Sequence, residues 1–306
     1  TLRPIDLKTL KGLVDAGSCN IDTDCKVAEY GPAFVQAKNA VAHMTFVESD
    51  GLGYMCTGTL LNDTTPSTQV PYFYTAAHCI SSQSVANTLN TYWGYENTGC
   101  GTVNGAKANP VIGGADILYA NENLDALLLR LRNAAPANAT FAGWDASPLA
   151  AGAEVIAIHH PRGDAKKVSR GQHVTDSYSD LYTVAWLEGT TEGGSSGSGL
   201  FTRYRDNSLR LRGGLFGGDA LCSNTGSTSN PLNRDHYSRL DLVFPQIKQW
   251  IAADPVLENG SQPLVRSSTA AAQGQGDRAT PAAATTPVQR ERPRQATPLR
   301  AGTLER

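Results

Sequence analysis

No apolar run in this 306-residue chain is long enough to cross a bilayer, so no membrane-spanning helix is expected. Charge of one sign is also lacking. The formal net charge is -2 and the pI about 6.3, which removes nucleic acid and anionic membrane surfaces as main partners. The six cysteines include no Cys-x-x-Cys pair. Zinc sites usually show such close pairs, so no metal is expected. Methionine is nearly missing, at 2 residues. No aromatic residue follows Trp250 and no lysine follows Lys248. From about residue 260 to Arg306 the chain is dominated by Ala, Thr, Pro, Gln, Gly and Arg. It cannot bury enough apolar surface to offset its conformational entropy, so residues 257–306 read as a disordered extension. A signal peptide is not visible either, which suggests that a secreted chain begins here after processing.

What is present belongs to strands and turns. Glycine stands at 30 residues, and Thr, Ser, Asn, Val and Tyr are frequent. Short apolar stretches recur between turn signals at Ala40–Val47, Thr57–Leu61, Val70–Thr75, Ala115–Tyr119, Ala126–Leu131, Glu154–His159, Tyr182–Leu187, Leu209–Phe216 and Ser238–Phe244. That spacing predicts an all-β sandwich or barrel and not βαβ units. Pro245–Ala253 reads as a helix, with Pro in its first turn and Ile247, Trp250 and Ile251 on one face. Residues 17–256 form the expected ordered domain, preceded by an extension at 1–16. Cys19, Cys25, Cys56, Cys79, Cys100 and Cys222 form an even set. Three disulfides in an oxidising compartment follow, with fifteen connectivities open.

Three segments carry chemistry. Thr75-Ala76-Ala77-His78-Cys79 places a histidine after a short apolar strand. Asn123-Leu124-Asp125-Ala126-Leu127-Leu128-Leu129 sets a carboxylate inside an apolar run. Gly194-Ser195-Ser196-Gly197-Ser198 holds a serine in a glycine-flanked turn. A serine hydroxyl is a poor nucleophile at neutral pH; it needs a base, and the base needs a third group to fix its tautomer. Ser196, His78 and Asp125 are the candidates for those roles. Their order, His, Asp, Ser, is that of the chymotrypsin-like β-barrel proteases. The amides of Gly194 and Ser196 would then form an oxyanion hole. Plainer readings exist: a turn residue for Asp125, a Gly/Ser linker for the serine segment. Leu200-Phe201 resumes a strand at once, which disfavours the linker, and the absence of Gly-Lys-Ser/Thr disfavours a phosphate loop. His159-His160-Pro161 could pass for a metal pair. Adjacent strand residues point to opposite faces, so packing roles are expected instead. His43, His173 and His236 show no partner pattern.

Gly17-Ser18-Cys19-Asn20-Ile21-Asp22, Cys56-Thr57-Gly58, Ala142-Gly143-Trp144-Asp145 and Ala157-Ile158-His159-His160-Pro161, with the histidine and serine segments above, resemble the bacterial lysyl endopeptidases. These are secreted trypsin-like serine proteases that cleave after lysine. The resemblance runs from about Gly17 to Ala253. It implies two six-stranded antiparallel β-barrels with the site between them, a short C-terminal helix, and no metal or organic cofactor. Protein or peptide substrates, a monomeric state and an extracellular location are implied with it. It also implies the pairs Cys19–Cys222, Cys25–Cys100 and Cys56–Cys79; the last would clamp the strands that present His78.

Specificity turns on one carboxylate. Trypsin-type enzymes place it six residues before the nucleophile, where this chain has Thr190. The lysyl endopeptidases place theirs in an Asp-x-Tyr strand, matched here by Asp235-His236-Tyr237. A turn aspartate after Asn233-Arg234 is the plainer reading. Members with strict lysine preference carry a His where this chain has Phe216, stacked on a Trp from another loop. The loop around Gln172–Leu181 is shorter and holds no Trp. Arginine-preferring or broad basic-residue cleavage, and a non-catalytic homologue that binds a partner protein, are the alternatives. Lys8 and Lys11 precede the region where the family's mature chain starts, so residues up to about Lys11 are expected to be the end of a propeptide removed by the enzyme itself.

Overall fold

A computed structural model describes residues 15–65, 68–102, 108–252, 295 and 299–300. The expected propeptide and nearly all of the C-terminal extension therefore lie outside the described residues.

The first sheet runs in the order β6 (Asn109–Val111), β5 (Asn90–Trp93), β2 (Val41–Val47), β3 (Gly53–Leu61), β4 (Tyr72–Thr75), β8 (Ala126–Leu131) and β7 (Ala115–Asn121). A two-residue strand, β16 (Leu299–Arg300), pairs with β3. The second sheet runs β1 (Ile21–Asp22), β11 (Lys167–Val174), β10 (Glu154–His159), β13 (Gly199–Arg203), β14 (Leu209–Gly218), β15 (Asp235–Ser238) and β12 (Leu181–Glu188). Here β12 pairs back onto β11, so six strands close into a barrel. The short β9 (Gly143–Trp144) lies parallel to β14.

Period-two alternation decides where each strand buries its side chains. On β8, Leu127, Leu129 and Leu131 join the core of the first sheet, with Ala42, Met44 and Phe46 of β2. Ala126 and Leu128 turn to the other face. There they meet Ile156 and Ile158 of β10 and Phe201 of β13 in a core shared by the two sheets. Val155 and Ala157 face the barrel interior with Val184, Trp186, Leu200 and Tyr237. Each fully buried aliphatic contributes on the order of 2 kcal/mol.

Two expectations need correction. The first sheet is a path of seven strands whose ends do not pair among the described residues, in place of a closed six-stranded barrel. Its extra edge strand carries Pro110, which an edge tolerates because no ladder bond is needed from it. The C-terminal helix spans Leu240–Ile251, so of the expected strand Ser238–Phe244 only Ser238 is in a strand, at the end of β15. Leu240, Val243, Ile247 and Ile251 recur at helical spacing and are wholly buried, and Pro245 is accommodated inside. Of the extension expected to be disordered, residues 295, 299 and 300 are described, and Leu299 and Arg300 pair with Met55 and Tyr54.

The disulfides are Cys19–Cys222, Cys25–Cys100 and Cys56–Cys79. The first ties the N-terminal segment to the loop after β14, across 203 residues of sequence. The third joins β3 to the short 3-10 turn Ala77–Cys79 that carries His78.

Candidate active site

β4 ends at Thr75, and the turn that follows brings His78 to the rim of the first sheet. Asp125 sits just ahead of β8, wholly buried, with φ 51°. Few side chains accept that left-handed conformation, and aspartate is among them. The preceding turn is set by Asn121, whose Oδ1 accepts the Leu124 amide at 2.9 Å. The result is a carboxylate aimed at one residue. Asp125 Oδ2 lies 2.7 Å from His78 Nδ1, and Oδ1 accepts the His78 backbone amide at 2.9 Å. The Gln295 side-chain amide also reaches Asp125 Oδ1, at 3.3 Å.

Ser196 arrives from the second sheet. Its loop is pinned to β3 through Thr57: the Thr57 amide donates to Ser196 O at 2.8 Å and its hydroxyl to Gly194 O at 2.9 Å. The Thr57 carbonyl accepts Thr75 Oγ1 at 2.8 Å, which links the serine loop to the strand leading to His78. Gly197, at φ +77°, packs against Thr75 and Ala76, where a Cβ would collide with backbone and side chain alike. Arg162 N donates to Gly193 O at 2.6 Å. With the carbonyls of Gly193, Gly194 and Ser196 all turned to partners, the amides of Gly194 and Ser196 donate to no acceptor among the described residues. His78 Nε2 and Ser196 Oγ are likewise buried without a hydrogen-bond partner there. His78 Nε2 and Ser196 Oγ are therefore not hydrogen-bonded to each other here. Open amides bind a carbonyl oxygen, a hydroxyl attacks its carbon and an imidazole nitrogen moves the proton once such groups converge.

Asp235 opens β15, paired with Gly218 of β14, the strand whose Leu215 brackets Gly197 and Ser198 through backbone bonds. It is 2% exposed. Trp186 Nε1 donates to Asp235 Oδ2 at 2.6 Å and Thr191 Oγ1 donates to the same oxygen at 2.7 Å. Burial pushes the carboxyl up to about 6, against the pull of these bonds and of the Ala220 backbone. A Cβ on Gly218 would stand 2.5 Å from Asp235 Oδ1, so that face of the carboxylate requires glycine beside it.

Thr190 is buried, but it is the next residue, Thr191, that touches Asp235. Phe216 is the extra residue of a bulge between Leu215 and Gly217, and is buried. Tyr237 stands inside the barrel, edge-on to Trp186. Sequence reasoning missed Trp186, Thr191 and Thr57. The Cys56-Thr57-Gly58 segment was visible, but nothing local marks a threonine that bonds three separate segments. Among the described residues the cluster of metal-ligand type is Cys56, His78 and Cys79, and its two sulfurs are joined in the disulfide. No helix among the described residues is long and apolar enough to cross a membrane.

The family model for the lysyl endopeptidase C-terminal domain matches residues 13–238. A lysyl endopeptidase of Pseudomonas aeruginosa is 42% identical over 252 residues, covering 79% of this chain and 53% of that protein. The chain thus spans about half the length of that relative. Among solved structures, the scabies mite inactivated protease paralogue S-I1 aligns with a TM-score of 0.51 at 13% identity, over 76% of this chain and 100% of that one. That likeness bears on the fold alone. The active form of the Rv3671c protease of M. tuberculosis aligns at TM-score 0.48 and 16% identity, over 86% and 96%.

Proposed function

This chain belongs to the lysyl endopeptidase family, and from that premise we propose that it is a secreted serine endopeptidase cleaving after basic residues, lysine first. The observation that carries the reading is the 2.7 Å contact of His78 Nδ1 with the buried Asp125, the strand leading to His78 being tied through Thr75 and Thr57 to the loop of Ser196.

In this reading Ser196 Oγ attacks the scissile carbonyl carbon while His78 Nε2 takes the hydroxyl proton. Asp125 holds Nδ1–H, so Nε2 keeps the lone pair that accepts the proton. The Gly194 and Ser196 amides stabilise the oxyanion, on the order of 3 kcal/mol per donor. His78 returns the proton to the departing amine, and water repeats the cycle on the acyl-enzyme. No cofactor is needed for these steps. Asp235 pairs with the cationic side chain at the cleaved residue. Its Oδ2 is taken by Trp186 and Thr191 and the Ala220 backbone also reaches the carboxylate, so a point-like ammonium would meet what remains of its Oδ1 side. Phe216 in place of histidine favours the second reading, cleavage after arginine as well. The three disulfides support an oxidising, extracellular location. Residues 17–256 act as the protease domain, as a monomer on protein or peptide substrates.

The test is mass spectrometry of the peptides released from a denatured protein, with Ser196→Ala as control. Cuts after Lys alone support the reading in full. Cuts after Lys and Arg retain the triad and overturn the lysine preference. No cuts beyond the control overturn the catalytic reading and leave the non-catalytic, partner-binding homologue.

A further inference from the structure

Ser195, the neighbour of Ser196, has its own histidine. His159 closes β10 on the barrel-interior side of the strand, wholly buried. Its Nδ1 lies 2.8 Å from Ser195 Oγ and its Nε2 3.1 Å from Ser169 Oγ on β11. Ser169 Oγ lies 2.8 Å from the Thr190 carbonyl, and the Glu192 amide donates to Ser195 Oγ at 3.3 Å. All three side chains are buried.

The donors and acceptors admit one assignment. A carbonyl only accepts, so Ser169 spends its single proton on Thr190 O. Ser169 Oγ must then accept from His159, which places the ring proton on Nε2. Burial, with Lys167 nearby, pushes His159 down to about 3, so the ring is neutral and Nδ1 carries a lone pair. Ser195 therefore donates to Nδ1 and accepts from Glu192 N–H. Each serine hydroxyl donates once and accepts once and each ring nitrogen is used once, so no proton of the set is left for transfer with substrate.

Both ends of this chain of bonds return to one loop. Thr190 O and Glu192 N bracket Thr191, whose hydroxyl bonds Asp235. Ser195 lies between Gly194 and Ser196, the two open amides. We propose that His159, with Ser169 and Ser195, is a positioning relay that fixes the two amides facing the oxyanion in register with the Thr190–Thr191 wall beside Asp235. This rests on Ser196 being the nucleophile. A loop free to shift by an ångström loses rate steeply, since the donors must meet the oxyanion and not the resting carbonyl.

The experiment uses the chain with its disulfides intact. Active sites are titrated with a serine-directed phosphonate, so rates are expressed per competent site. Ser195→Ala is expected to lower kcat per titrated site ten- to a hundredfold on a lysyl substrate, with KM within threefold. His159→Asn, whose carboxamide can accept from Ser195, is expected to recover part of the rate lost in His159→Leu. In the wild type, nitrogen NMR of the His159 ring is expected to show the Nε2–H tautomer alone, and in Ser195→Ala a mixture. A Ser195→Ala kcat within twofold of wild type, or an Nδ1–H tautomer in the wild type, overturns the relay. If the His159 variants fail to fold, Ser195→Ala and the wild-type spectrum still decide. Failure of the phosphonate to label wild-type Ser196 overturns the catalytic assignment and the relay's role with it, and is recognisable because the Nε2–H tautomer persists.

Discussion

Asp125 holds both the ring and the backbone of His78: one carboxylate oxygen faces Nδ1 at 2.7 Å and the other accepts the amide at 2.9 Å. The grip is made from a left-handed backbone position at the mouth of a strand. Residues held in such conformations concentrate where structure serves a site.

Asp125→Asn is expected to fold and to lose activity by about 10⁴-fold in kcat. The asparagine oxygen can still accept the His78 amide. Its NH2 then faces Nδ1 and forces the proton onto Nε2, where the base needs a lone pair. Steady-state turnover of a lysyl ester, normalised to protein with unchanged near-UV circular dichroism, checks this.

In the proposed pocket, Asp235 is expected to make binding of cationic side chains pH-dependent. Its pKa in the free protein is about 6, and a bound ammonium favours the ionised form. The affinity is therefore present above about 6 and fades as pH falls below it. KM for a lysyl ester is expected to rise toward acid while KM for a leucyl ester stays flat. The ratio of the two, measured from pH 5 to 8, cancels whatever titrates in the machinery common to both. A flat ratio would remove Asp235 from the pocket.

Thr57→Val keeps the shape of a side chain that bonds Gly194 O and accepts the His160 amide at 3.2 Å. Its loss strands a buried carbonyl and a buried amide, at a cost of about 1–3 kcal/mol each. The variant is expected to melt earlier and to lose kcat more than KM, because the carbonyl it anchors belongs to Gly194, the residue whose own amide is proposed to meet the oxyanion. Differential scanning calorimetry and a Michaelis–Menten series read the two effects separately.

His43 and His159 are both wholly buried, and burial pushes each down to about 3 from the ordinary 6.5. The unfolded chain therefore takes protons that the fold refuses. Their contribution to stability is complete above pH 6.5 and is lost as pH falls from there toward 3. Neither ring nitrogen of His43 has a partner among the described residues. His43→Leu is expected to retain the neutral-pH midpoint in urea and to flatten the acid slope by one histidine's share. An unchanged slope would assign the acid sensitivity elsewhere.

The sequence by itself determined the strand alphabet, the three chemistry-bearing segments and their order. Each of these is local: alternation along β2 and β8, a glycine-flanked serine, a histidine tied to a cysteine, an aspartate in an apolar run. The pairs of cysteines came through resemblance, since composition leaves fifteen pairings open. Tertiary structure alone decided the rest. That Thr191 and not Thr190 meets Asp235 depends on which face of a loop turns inward, and neighbouring residues of like chemistry carry no local mark of it. Trp186 and Asp235 lie 49 residues apart and meet because β12 and β15 are paired across the barrel. The helix took Leu240–Phe244 from the expected strand because Leu240, Val243, Ile247 and Ile251 can all be buried at once only at helical spacing. His159 and Ser195, 36 residues apart, become partners because β10 and β13 are adjacent in the barrel, and no periodicity of the chain encodes that adjacency.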